Sequence, residues 1–110
     1  EQMENAAKRI HALGCANVLI KGGHARFDPA TDILYDGATF ESYSAQYIKT
    51  KNTHGTGCTY SAAITAQLAL GEDLKTAITN AKKFTTKAIE NALDIGKGSG
   101  PVNQFYDGKV

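Results

Sequence analysis

Apolar residues at Met3, Ala6, Ala7, Ile10 and Leu13 recur at the spacing of one face of an α-helix, and Gly14 follows where a left-handed helix end favours a residue without a Cβ. The pattern predicts a short amphipathic helix over residues 2–13. From Ala16 to Lys21 it becomes a mostly apolar run, Val18-Leu19-Ile20, ending in Lys21-Gly22-Gly23-His24, which reads as a buried strand feeding a glycine turn. Helix then buried strand is the second half of a β-α-β unit, so a parallel sheet is the expectation.

Asp28-Pro29-Ala30-Thr31-Asp32 has turn chemistry. Beyond it, Ile33-Leu34-Tyr35 and Thr39-Phe40-Glu41-Ser42-Tyr43 flank Asp36-Gly37, a dipeptide favoured in tight hairpins. Gln46 to Thr50 has the β-branched and aromatic character of a further short strand. Thr59 to Leu70 is almost wholly alanine, leucine, isoleucine and small hydroxyl residues, which predicts a helix buried around most of its circumference and stopped at Gly71. Asp73 is placed to cap a longer amphipathic helix with a buried stripe of Leu74, Ala77, Ile78, Ala81, Phe84, Ala88, Ile89 and Ala92 and a lysine-rich opposite face. Gly96, Gly98, Gly100 and Pro101 break the pattern, and the tail has little periodicity. No internal repeat or low-complexity tract is found.

Composition narrows the class. With 110 residues, 42% apolar and 21% charged, the chain has the make-up of one ordinary soluble globular domain. A formal charge of +1 gives no reason to expect nucleic acid or an anionic membrane as partner. Cys15 and Cys58 lie far apart and outside any Cys-x-x-Cys arrangement, which argues against a disulfide framework or a four-ligand zinc site and fits a reducing, cytoplasmic setting. No apolar run is long enough to span a bilayer, and residues 1–20 lack the features of a secretion signal. The chain opens inside its first predicted helix without a start signal, which points to an artificial beginning.

The candidate chemistry gathers at Asn52-Thr53-His54-Gly55-Thr56-Gly57-Cys58-Thr59, where a glycine turn runs into the alanine-rich helix. Glycines permit backbone angles and close approaches denied to other residues, and the first amides of a helix have no intrahelical acceptor, so the junction is suited to an anion such as a transferring phosphoryl group. Thr53, Thr56 and Thr59 could add hydroxyl donors. The spacing is neither a Walker A loop nor a dinucleotide fingerprint, and an empty structural turn stays open as an alternative. Cys58 sits in the first turn, where the helix dipole favours negative charge; base, nucleophile and packing residue are all open roles. His54 invites a Cys-His dyad, but a residue four positions earlier across a glycine turn need not face the sulfur, and a histidine bonded to loop backbone is the plainer reading. Lys21 ends the strand expected to be parallel, where ligands of open α/β sheets collect. Lys82, among several other lysines, reads from composition as a surface charge. No metal site is assigned.

Four stretches together carry a family resemblance: Val18 to His24, Lys51 to Ala63, Ala81-Lys82-Lys83-Phe84, and Gly96 to Asn103. In this order they resemble the hydroxymethylpyrimidine/phosphomethylpyrimidine kinases of thiamine biosynthesis, members of the ribokinase-like superfamily. The resemblance implies an α/β, three-layer fold with a largely parallel central sheet, and transfer of the γ-phosphate of ATP, with Mg²⁺, to the pyrimidine's hydroxymethyl group and then to its monophosphate. It implies that Cys58 is the base and that Gly55, Thr56, Gly57 and the Cys58 amide form the anion hole. Lys21 and Lys82, with Thr53 and Gly22, are then on the nucleotide side, which replaces the surface reading of Lys82, and Gly96 to Pro101 is a loop close to the nucleotide. Gln104 stands where many relatives carry a histidine.

Members of that family are substantially longer. The chain resembles their carboxyl-terminal, nucleotide-side part, so residues 1–110 are expected to be a piece of one kinase domain whose pyrimidine pocket and Mg²⁺ ligands lie in an absent upstream part. Such a piece alone should be inactive, because positioning both substrates is the main source of rate. A small-molecule pyrimidine and ATP are the expected partners; the sheet edge left open makes association or swapping a hazard, and a homodimer stays open as an assembly. Pyridoxal kinase of the same superfamily is the near alternative; a Cys-dependent hydrolase and a non-catalytic anion-binding module are alternatives of other classes.

Overall fold

The computed structural model describes residues 2–22, 30–46 and 48–106. The chain divides into two compact units, Glu1–Tyr47 and Ile48–Val110.

In the first unit, α1 (Gln2–His11) precedes β1 (Val18–Ile20), β2 (Ala30–Tyr35) and β3 (Phe40–Ala45), which form a sheet in the order β1-β2-β3. The predicted helix and its glycine stop are found, with Gly14 at φ 113°. α1 packs on β1 and β2, burying Ala7, Val18 and Leu34. Leu13, expected on the buried stripe, is 84% exposed, since α1 ends before it.

The hairpin forms where expected, with Tyr35 opposite Phe40 and residues 36–39 as its connection. One carboxylate oxygen of Asp36 accepts the amides of Ala38 at 2.8 Å and Thr39 at 2.7 Å, and Gly37 takes φ 96°. The Tyr35 ring stacks on Phe40 and receives the edge of His11 at a centroid distance of 5.2 Å, tying the end of α1 to the hairpin.

Two expectations change here. Thr31 and Asp32 are not turn residues but the start of β2, while Asp28 and Pro29 lie outside the described residues. Asp32 is tolerated in a strand because its buried carboxylate accepts the Gly22 amide at 2.9 Å. Secondly, the described strands pair antiparallel throughout. Residues 21–29 between β1 and β2 are too few for the crossover of about a dozen residues that parallel neighbours need. The helix-then-strand order thus does not give β1 a parallel partner among the described residues.

The second unit holds α2 (Thr56–Ala69) and α3 (Leu74–Glu90), packed together. Asp73 caps α3 as predicted, its carboxylate accepting the Thr76 amide at 2.8 Å and the Thr76 hydroxyl at 3.0 Å. Ala77, Ile78, Ala81 and Ala88 are buried as the stripe required, and Thr85 joins them. α2 departs from expectation: among its described side chains only Thr59 and Tyr60 are buried, and Leu68 and Leu70 are 44% and 79% exposed. A helix apolar all round still buries only the face that meets a neighbour, and α3 is the element that packs on it in this unit.

Gln46 and residues 48–50 are not a strand, and Tyr47 lies outside the described residues. The Thr50 hydroxyl accepts the Asn52 amide at 3.1 Å and turns the chain instead. After α3 the tail folds back: the Asn103 amide donates to Ala88 O at 2.9 Å, and the Tyr106 ring lies 5.6 Å from that of Phe84.

Candidate active site

Gly55 is the residue that turns the chain into α2. Its φ of 89° is strained for any residue with a Cβ, and no side chain caps the helix it begins. The first i to i−4 bond runs from the Thr59 amide to Gly55 O at 2.8 Å, so the amides of Gly57 and Cys58 head the helix ahead of its regular ladder. The Thr56 amide and hydroxyl both turn back to Thr53 O, at 3.2 and 2.6 Å, and lock the turn. Cys58 is a free, exposed thiol in this first turn.

The turn is braced from the tail. His54 and Pro101 form a parallel bridge, with the His54 amide donating to Gly100 O at 3.0 Å and the Val102 amide to His54 O at 3.1 Å. His54 thus bonds a loop through its backbone, while the residue as a whole is exposed. Asn52 Oδ1 accepts the Gly100 amide at 3.0 Å, and the Leu93 amide closes the intervening loop by donating to Pro101 O at 3.1 Å. Gln104 Nε2 donates to the Thr59 hydroxyl at 3.0 Å. Hence, of the three threonines at the turn, Thr56 and Thr59 spend their hydroxyls on this bracing.

Thr53, Gly55, Thr56, Gly57 and Cys58 therefore stand together at the mouth of α2. Lys82 reaches α2 from α3, its Nζ 5.6 Å from the centroid of the Tyr60 ring. It is half-buried, unlike the exposed Lys75, Lys83 and Lys87, so the surface reading drawn from composition fails for this lysine. Lys21 and Gly22 belong to the first unit, where Lys21 is exposed just beyond β1 and Gly22 is so close to β2 that a Cβ on it would run into the Thr31 carbonyl. Among the described residues no three His, Cys, Asp or Glu side chains gather as a metal site. No helix among these residues is long and apolar enough to cross a membrane.

The family model for phosphomethylpyrimidine kinase matches residues 1–103. The chain belongs to the phosphomethylpyrimidine kinase family. It is 50% identical over 105 residues to the thiamine biosynthesis bifunctional protein ThiED of Geobacter sulfurreducens, covering 96% of this chain and 21% of that protein. It is 45% identical to the hydroxymethylpyrimidine/phosphomethylpyrimidine kinase of Bacillus subtilis, covering 96% of this chain and 39% of the relative, and 47% identical to the pyridoxine kinase of the same organism, covering 92% and 38%. Among solved structures, the pyridoxal kinase of Staphylococcus aureus in complex with AMP-PCP and pyridoxal superposes with a TM-score of 0.91 at 37% identity, covering 99% of this chain and 41% of that one. The chain has the ribokinase-like α/β fold of these kinases and spans about two fifths of the length of the Bacillus subtilis kinases and of the Staphylococcus aureus pyridoxal kinase.

The bracing contacts of Asn52 and Gln104 and the ring contact of Tyr60 do not follow from composition or spacing. Asn52 and Gln104 act across long sequence separations, and Tyr60 is hidden in an alanine-rich run.

Proposed function

We propose that the complete protein phosphorylates 4-amino-5-hydroxymethyl-2-methylpyrimidine and its monophosphate with ATP. The observation that carries this reading is the uncapped mouth of α2, with Gly55 in the left-handed conformation and the Cys58 thiol exposed in the first turn of a helix from a kinase family.

Cys58, as thiolate, takes the proton of the substrate hydroxyl. The freed oxygen attacks the γ-phosphorus, and the bond from that phosphorus to the bridging oxygen breaks to release ADP. Phosphoryl transfer asks the protein mainly for alignment and for stabilisation of spread negative charge. Gly55, with the amides of Gly57 and Cys58, receives the equatorial oxygens, and Thr56 keeps the turn in shape from Thr53. By family likeness Lys82, Lys21 and Gly22 are assigned to the nucleotide, and Mg²⁺ would accompany it. A cytoplasmic homodimer, made of a single kinase domain per chain, completes the proposal.

A second reading, pyridoxal phosphorylation, is favoured by the TM-score of 0.91 at 37% identity to a pyridoxal kinase in complex with AMP-PCP and pyridoxal. Side-by-side turnover of hydroxymethylpyrimidine, its monophosphate and pyridoxal by the complete protein tests both. Preference for the pyrimidines supports the first reading, preference for pyridoxal the second, and the absence of ATP consumption with all three would overturn both.

A further inference from the structure

The side chain that receives Lys82 is unusual for a lysine partner. Tyr60 is 6% exposed and stands two positions after Cys58, in the second turn of α2. A ring this buried has little freedom to move, whereas the four-carbon lysine stem has much, so the ring limits where the ammonium rests. An aromatic face attracts a cation through its quadrupole.

We propose that Tyr60 is a positioning residue for nucleotide binding: its ring face holds the Lys82 ammonium beside the first turns of α2, so that the uncapped amides and the lysine act on the same phosphate group. The inference rests on the phosphotransfer reading above and adds to it a residue that acts through Lys82. Tyr60 leads directly from the turn, since the neighbouring Thr59 is held by Gln104 and its amide starts the helical ladder at Gly55. The same few residues thereby set the amide cluster and the cation. Holding the lysine in advance also lowers the side-chain entropy lost when an anion arrives.

The test is ADP affinity of the complete protein, measured by calorimetry at low salt. Tyr60→Phe, which keeps a ring face, should bind ADP within about twofold of the parent. Successive fluorination of a phenylalanine at position 60 drains the ring quadrupole at nearly constant shape, and affinity should fall stepwise to a total of about threefold to thirtyfold. In a Lys82→Met background the same series should be flat. A flat series with Lys82 present, in a protein whose affinity does fall on Lys82→Met, would overturn the role of Tyr60 and leave the nucleotide site standing. Unchanged affinity in Lys82→Met would remove Lys82 from the nucleotide and the proposal with it, whereas failure of the parent to bind ADP at all would overturn the phosphotransfer reading itself.

Discussion

Asn52 accepts the amide of Gly100 across 48 positions of sequence, at 3.0 Å, and so joins the approach to the glycine turn to the segment that follows α3. Gly100 is buried, and a Cβ on it would meet both the Asn52 side chain and Leu93 O. Asn52→Ala leaves that amide without an acceptor, a cost of about 1–3 kcal/mol. Urea denaturation should show this loss, with Asn52→Asp recovering most of it because an acceptor oxygen remains. Equal stability of Asn52→Ala and parent would mean that the contact contributes nothing.

Cys58→Ala should lower kcat of the complete protein by about 10²- to 10⁴-fold, the usual worth of a general base, while ADP affinity stays within about twofold. Turnover and calorimetry on the same sample separate the two effects. Near-normal turnover would remove Cys58 as base.

Gly37 has φ 96°, and a Cβ there would lie 2.7 Å from His11 Nε2. Gly37→Ala therefore meets backbone strain and a ring at once, and should destabilise the protein by about 1–3 kcal/mol. Adding His11→Ala should restore only the part due to the ring, which denaturation of the double variant would read directly.

Hydrogen bonds from the Thr76 amide, and then from the Thr76 hydroxyl, hold the Asp73 carboxyl below its ordinary pKa of 3.8. With the folded value below the unfolded one, the cap's contribution is complete above pH 3.8 and is lost as pH falls through the lower folded value. Asp73→Ala should melt at a lower temperature than the parent at neutral pH, and the two curves should converge in acid. A gap that persists in acid would show that the charge is not what the cap supplies.

Much of the chain was legible because local rules and tertiary needs agree in it. Gly14, Gly71 and the Asp73 cap mark helix ends that form as the sequence suggests, and Asp36-Gly37 marks the hairpin. Where the two diverge, tertiary contact decides. Asp32 looks like a turn residue by type, yet Gly22 supplies the donor that lets it sit buried in a strand. The apolar circumference of α2 says what the helix tolerates, not how much of it a neighbour covers, as Leu68 and Leu70 demonstrate. At the candidate site the glycines and Cys58 stand out as a short motif. Lys82 does not, because its difference from the lysines around it lies in the ring it rests on.

The bridge between His54 and Pro101 also bears on how the motif could be borrowed. Grafting the eight residues from Asn52 to Thr59 onto another strand-to-helix junction would transplant the letters without the clasp that shapes them. A host would have to receive the returning segment around Gly100 to Val102 as well, so the smallest portable unit is a helical pair with its tail rather than a loop.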